Sequence, residues 1–305
     1  MQQLSEARVK GRLALIVSCT ATKRVPATRC AMVRHLDHGP DRVRQWVDRL
    51  DSLPESQRLP LRRLYGGPMW QSALDLETRA RDLGYAVDLW VASAGLGLAP
   101  ADSSAPAYGA SFSGGPDQVA PDRHGRRSWW LALRKGMFLG RTATDLACVR
   151  ETADQVLLAL SPAYLEPLGD ELQRFADDPG VAVMSSHRPT RQSPVSSFGL
   201  RQRLGGTQVT LNARAAAQYL ELVGGSPVGS STAHQRWEEW AADNRLPEAA
   251  PRPPLTDDEV RTFIRECLKV RPMARTPLLV ELRRSGSACE QARFARLYRE
   301  VQEAQ

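Results

Sequence analysis

Residues Leu13-Ala14-Leu15-Ile16-Val17-Ser18 read LALIVS, a short apolar run without a polar interruption. A strand with one wet face alternates apolar and polar residues. A continuous run of this length fits a strand covered on both faces, as in a parallel sheet flanked by helices. Working outward, AVDLWVAS at 86–93, Gln155 to Leu160 and GVAVMS at 180–185 repeat the pattern. Between them, Trp70, Leu74, Leu76 and Leu83 recur at helical spacing over 68–83, and Gly84 closes that segment. Further helices are expected at 127–138 and 207–223. The alternation predicts an α/β fold: an open, mostly parallel sheet flanked by helices, with its ligand beyond the carboxyl ends of the strands. The loops after residues 18, 93, 161 and 185 would then share one active face, and long loops are expected over 95–122 and 186–206.

Composition shifts at Gly224, where GGSPVGSST begins a stretch that runs to PRPP at 251–254. The expected organisation is an α/β catalytic domain over 1–227, a linker region over 228–255 and a helical unit over 256–305. Thr256 and Glu259 have capping-box spacing at the start of that unit. Helices at 257–269, 276–284 and 288–302, with Ser285-Gly286-Ser287 between the last two, make a small all-α, helix-turn-helix-like arrangement. Its final helix would turn Phe294, Leu297 and Val301 inward and Glu290, Gln291, Arg293, Arg296 and Arg299 outward. A plain helical cap with solvated arginines is the alternative.

Charge points to a partner. Basic residues number 41 and acidic ones 34, giving +7, an excess that favours a polyanion over an acidic metabolite, although solubility alone accounts for a number of this size. Lys10, Lys23, Lys135 and Lys269 are the only lysines. A GC-rich genome produces such a bias, yet arginine also suits phosphates and base edges. Residues 123–141 and 179–220 contain several arginines and no acid, and 261–305 hold ten basic against five acidic residues. The five cysteines show no C-x-x-C pair, which suits a reducing cytoplasm. The run at Leu13 is too short for a signal peptide or membrane span, so a cytoplasmic protein with no membrane partner is expected.

Several loop segments carry candidate chemistry. Ser18, Cys19, Thr20 and Lys23 follow the first strand, where hydroxyls, a thiol and backbone N–H groups can form a nest for a phosphate or base edge. A desolvated Lys23 is also able to form a Schiff base with a sugar aldehyde. Tyr65, Gly66 and Gly67 precede a helix, where glycine lets an anion approach. Ser93 and Gly95 open SAGLGLAPAD, in which Pro100 breaks the dinucleotide pattern. Asp102 is the one acid between Asp88 and Asp117 and is followed by Tyr108 and Phe112, which with Tyr65 are candidates to stack on a base. His187 and Asn212 are candidates to neutralise a leaving base. Lys23, Arg126, Arg127, Arg188, Arg191, Arg201, Arg203, Arg214, Arg293 and Arg296 are candidates for the DNA backbone. Cys30, His35, Asp37 and His38 cluster, but their spacing matches no standard zinc pattern, and no metal is expected.

LIVSCTATK, RLYGGPMW, SAGLGLAPAD and LGGTQVTLNAR, in that order over residues 10 to 225, resemble the uracil-DNA-glycosylase-like superfamily. The branch is similar to the archaeosine synthase core domain and to a bacterial antiphage DNA glycosylase acting on glucosylated hydroxymethylcytosine. His187, Pro189, Ser193 and Pro194 resemble the superfamily's His-Pro-Ser-Pro motif. The acid usual after its first strand is absent here, Ser18-Cys19-Thr20 standing in its place, which moves the expected catalytic role to Asp102. The resemblance implies a base-flipping fold and a cofactor-free DNA glycosylase that excises a modified base from phage DNA and leaves abasic sites. Asp102 would stabilise the sugar cation and orient water, with His187 and Asn212 on the departing base. Two alternatives stand: an archaeosine-synthase-like nucleobase-modifying transferase, and a non-catalytic nucleic-acid-binding nucleotide sensor.

Overall fold

A computed structural model describes residues 10–303 apart from 136, 143, 191, 192 and 247–254. Arg191, a candidate backbone contact, lies outside the described residues. Strand β1 is Arg12–Ser18, and its Leu13, Leu15 and Ile16 are fully buried, which is why the run carries no polar residue. Helix α1, Arg42–Asp51, presses Trp46 and Leu50 into the core. Helix α2, Gly67–Asp82, leads to β2, Ala86–Ser93, after Gly84 turns the chain at φ +92°. Strand β3 is Gly97–Pro100, and α3, Arg123–Leu133, starts where Asp122 accepts a hydrogen bond from the Gly125 N–H at 2.8 Å. That cap sets the helix start four residues earlier than periodicity alone places it. Helix α4, Leu146–Thr152, precedes β4, Gln155–Ala159. Strand β5 is Val181–Met184, and α5, Leu211–Val223, ends at left-handed Gly224.

The sheet order is β3-β2-β1-β4-β5. Strand β1 pairs in parallel with β2, Leu13 opposite Val87, and with β4, Leu13 opposite Gln155; β4 pairs in parallel with β5. The fold is therefore α/β with a mostly parallel sheet. Strand β3 pairs antiparallel with β2, Ser93 opposite Gly97, so the stretch expected as a loop after Gly95 in fact supplies an edge strand. Gly97 at φ +68° makes the reversal, and Leu98 and Ala99 are buried. The chain leaves β1 for β2 on one side and later returns to β4 on the other. That places the topological switch point between the carboxyl ends of β1 and β4.

The expected linker over 228–255 needs correction. Helix α6, Ser231–Asn244, is capped by Ser230, and its Trp237 is fully buried edge-on to Tyr219. An indole of that size belongs to a core and not to a tether. The first compact unit accordingly runs to Leu246 and the second spans 247–305. The second unit holds α7, Asp257–Val270, α8, Arg275–Arg284, and α9, Gln291–Glu303. Val260, Ile264, Leu278, Leu282, Phe294, Leu297 and Val301 form its core. Thr256 and Glu259 make the reciprocal capping box. Among the described residues no helix is long and apolar enough to cross a membrane.

Candidate functional site

Each of the four parallel strands runs into serine at its carboxyl end: Ser93, Ser18, Ser161 and Ser185. Ser93 and Ser185 are fully buried, and Ser18 Oγ accepts the Ser161 N–H at 3.3 Å across the switch point. An apolar sheet thus ends in a polar edge. Ser185 Oγ has no hydrogen-bond partner among the described residues.

Beside this edge lies a buried cluster built from three of the sequence blocks. Ser93 Oγ accepts the N–H groups of Gly95 and Leu96, each at 3.1 Å, so its own proton goes to the Tyr108 hydroxyl 2.5 Å away. Tyr108 and Tyr65 share a second hydroxyl bond of 2.5 Å. Three hydroxyls carry three protons, and these two bonds use two of them. One tyrosine proton is left over in a fully buried setting. Burial raises the pKa of both phenols, with a contribution from Cys19, so they remain protonated donors at neutral pH.

Lys23 faces this pair. Its Nζ lies 4.3 Å from the Tyr108 ring centroid and 5.4 Å from that of Tyr65, and it donates to the Thr20 carbonyl at 2.7 Å. Burial lowers the pKa of the amine, against weaker opposing effects of Cys19 and Asp117. Cys19 Sγ is 3.2 Å from the Tyr164 hydroxyl, and buried Thr20 accepts the Thr22 N–H at 3.2 Å. Arg141, whose pKa is lowered by burial, bonds to the Leu98 carbonyl at 3.0 Å and turns its positive field on both tyrosines. A cavity of about 340 Å³ is lined in part by Val25, Pro26, Pro106 and Ala107, the near chain neighbours of Lys23 and Tyr108.

The glycines have structural reasons. A Cβ on Gly95 would meet the Tyr108 ring at 2.5 Å, so this residue admits the ring. Gly66 N–H bonds to the Thr22 carbonyl at 3.1 Å, and a Cβ on Gly67 would stand 3.2 Å from Thr22 Oγ1. The close approach expected of a phosphate is made by the Thr22 loop.

Ser18, Cys19, Thr20, Lys23, Tyr65, Ser93, Gly95 and Tyr108 come together; the expected catalytic residues do not join them. Strand β3 carries the chain back along β2, and Ala101 N–H bonds to the Leu89 carbonyl at 2.8 Å. Asp102 consequently lies away from the carboxyl edge, largely exposed and 2.6 Å from Arg62 Nε. His187 is exposed, its Nδ1 3.3 Å from Ser186 Oγ. Asn212 donates to the Leu160 carbonyl at 2.8 Å and accepts from the Ser196 hydroxyl, so both ends of its amide brace the strand edge. Phe112 is buried edge-on to Tyr164 and Trp130, and Tyr65 and Tyr108 meet Trp70 and Trp46 the same way. These rings are packed and do not offer a face for stacking.

Most of the arginines expected on DNA are already paired. Arg126 grips Glu166 with two bonds of 2.9 Å, Arg127 pairs with Asp170, and Arg188 reaches Glu238 at 2.7 Å. In the second unit Arg293 and Arg296 both hold Asp257, in the acidic first turn of α7, and Arg296 also holds Glu300. Arg214 turns to the Leu204 carbonyl at 3.3 Å and, with Arg203, lines a cavity of about 330 Å³. Arg201 and Arg203 are exposed, the former over the Phe198 ring. Among the described residues no group of three or more His, Cys, Asp or Glu side chains is placed to hold a metal ion.

Sequence reasoning missed Arg141 and Tyr164 as parts of this cluster. The serine at the carboxyl end of each of the four parallel strands was a signal available in the sequence. In comparisons with family models, curated proteins and solved structures, nothing matches this chain.

Proposed function

We propose that this protein is a DNA glycosylase of uracil-DNA-glycosylase-like fold, working at the carboxyl edge of its parallel sheet on a modified base, in defence against phage whose DNA carries such bases. The observation that carries the reading is the buried Ser93–Tyr108–Tyr65 hydroxyl chain facing Lys23 beside the carboxyl edge of the sheet, the edge at which an α/β fold takes its ligand. A flipped nucleotide, unstacked at a cost of a few kcal/mol, would turn the edge of its base, and not its face, toward the Tyr65–Tyr108 hydroxyl pair. As the C1′–N bond breaks, its electron pair moves to the base and the tyrosine proton follows. Water adds its oxygen to C1′ and returns a proton to the phenolate, so one water is consumed and an abasic site remains. Arg141, whose charge acts on both tyrosines, supplies the positive field that favours the departing anion. The reaction written this way calls for no cofactor. The second unit, helix-turn-helix-like in sequence, is proposed to add contacts to the DNA backbone.

The test is to incubate the protein with DNA containing glucosylated hydroxymethylcytosine, hydroxymethylcytosine, uracil or deazaguanine. Free base is measured by mass spectrometry, and abasic sites by alkali cleavage. Release from at least one substrate, reduced at least about tenfold in Tyr108→Phe, is expected. Intact DNA across all four substrates overturns the reading.

A further inference from the structure

We propose that Lys23 gives this protein a second activity, in which its amine condenses with the sugar aldehyde of an abasic site and opens the strand. The inference rests on the glycosylase reading for its substrate, and on geometry for its nucleophile.

Among the described residues Lys23 is the one lysine in the cluster beside the carboxyl edge. Its Nζ is held by a carbonyl, Thr20 O at 2.7 Å, and by the tyrosine ring faces. A carbonyl fixes the nitrogen by taking one N–H and leaves the lone pair of the neutral amine available. A carboxylate in the same place would lock in the ammonium form. Burial pushes the same way, favouring the neutral amine against weaker opposing effects of Cys19 and Asp117. Cys19, the other nucleophile here, is less suited, because its sulfur is buried and held by Tyr164. Lys23 remains partly exposed.

The chemistry balances. The amine lone pair adds to C1′, and a proton passes from nitrogen to the former carbonyl oxygen, giving a carbinolamine. Uptake of one proton from solvent by that oxygen and loss of water leave an iminium ion. Water removes a proton from C2′, those electrons form the C2′–C3′ double bond, and the C3′–O bond breaks with its pair on the departing phosphate. Hydrolysis of the imine frees Lys23.

The experiment uses the full chain and DNA that already contains an abasic site, so it does not depend on base excision. Borohydride is added to reduce the iminium, and the covalent protein–DNA adduct is quantified and mapped by mass spectrometry. With four lysines in the chain, the background is small. The adduct is expected on Lys23, to fall at least tenfold in both Lys23→Met and Lys23→Arg, and to persist in Lys135→Met and Lys269→Met. Circular dichroism checks the fold of each variant. No adduct with the wild-type protein, an adduct mapped to another amine, or one retained in the folded Lys23 variants overturns the proposal. Base release without an adduct removes the second activity and leaves the glycosylase. An adduct without base release from any modified DNA does the reverse.

Discussion

Arg62 holds Asp102 at 2.6 Å through Nε while its two terminal nitrogens clasp Glu77, one of them at 2.8 Å. Glu77 is nearly buried and also accepts from Arg81 at 2.7 Å, whereas Asp102 is largely exposed. The two carboxylates therefore have unequal roles. An exposed pair contributes about 0.2–1 kcal/mol, so Asp102→Asn should leave base excision within about twofold and stability within about 1 kcal/mol. Glu77→Gln leaves two guanidinium groups short of a partner and should cost roughly 2 kcal/mol after allowing for their partial exposure. Burial pushes the Glu77 carboxyl up, but the hydrogen bonds from Arg62 and Arg81 together outweigh it and hold the group below its ordinary 4.5. Its stabilisation is therefore complete above that value and lost as pH falls through the folded-state value. Urea unfolding at pH 7 and pH 4 should show the Glu77→Gln penalty shrinking at the lower pH.

Gly95 and Tyr108 form the tightest constraint on the cluster. The Cβ of Gly95→Ala would meet the ring at 2.5 Å, and Trp46 lies edge-on behind it, so the ring must tilt. Overpacking of this kind costs about 1–3 kcal/mol. The hydroxyl would also leave Ser93 and Tyr65, and a 1 Å misplacement can cost about a hundredfold in rate. Gly95→Ala should thus lose excision at least tenfold while remaining folded at 25 °C. A variant that excises at the wild-type rate would remove Tyr108 from the mechanism.

His234 makes the first unit sensitive to mild acid. Its Nδ1 is buried without a hydrogen-bond partner among the described residues, and Nε2 lies 3.8 Å from Glu238 and 3.5 Å from Arg188. Burial lowers its pKa below 6.5; Glu238 opposes this and Arg188 adds to it. A histidine with a depressed folded-state pKa binds fewer protons folded than unfolded in the window below 6.5. Stability should be flat above pH 6.5 and decline as pH falls through that window. In His234→Gln the decline between pH 6.5 and pH 5 should be shallower, as read from thermal midpoints.

What the sequence revealed follows from how local each cause is. LALIVS announces a doubly covered strand because burial acts residue by residue, and the same holds for residues 86–93, 155–160 and 180–185. The three blocks around Cys19, Tyr65 and Ser93 were legible as candidates for the same reason, since each lies at an element boundary. Asp102 was misplaced because its position depends on β3, a reversal set by Gly97 that only the pairing with β2 reveals. Residues 231–244 resembled a tether from their flanking Gly, Ser and Pro, although Trp237 at the centre of the segment is buried. Pairings such as Arg126 with Glu166 or Arg293 with Asp257 join residues about 40 apart, and charge counts cannot anticipate them.

Those pairings also sharpen which cations are expected to meet DNA. Arg293 and Arg296 hold the acidic start of α7, so replacing both with alanine should lower the thermal midpoint of the second unit, largely through Asp257. Any loss of DNA affinity should then track unfolding of that unit. Arg201 and Arg203 are exposed and make no ion pair among the described residues. If both meet phosphates, affinity for duplex DNA falls with salt, and each contact adds about 0.9 to the slope of log affinity against log salt. Replacing both with alanine should therefore reduce that slope by about 2 and weaken binding similarly across DNA sequences. Fluorescence anisotropy from 50 to 200 mM salt measures both quantities, and an unchanged slope would place the DNA on another face of the protein.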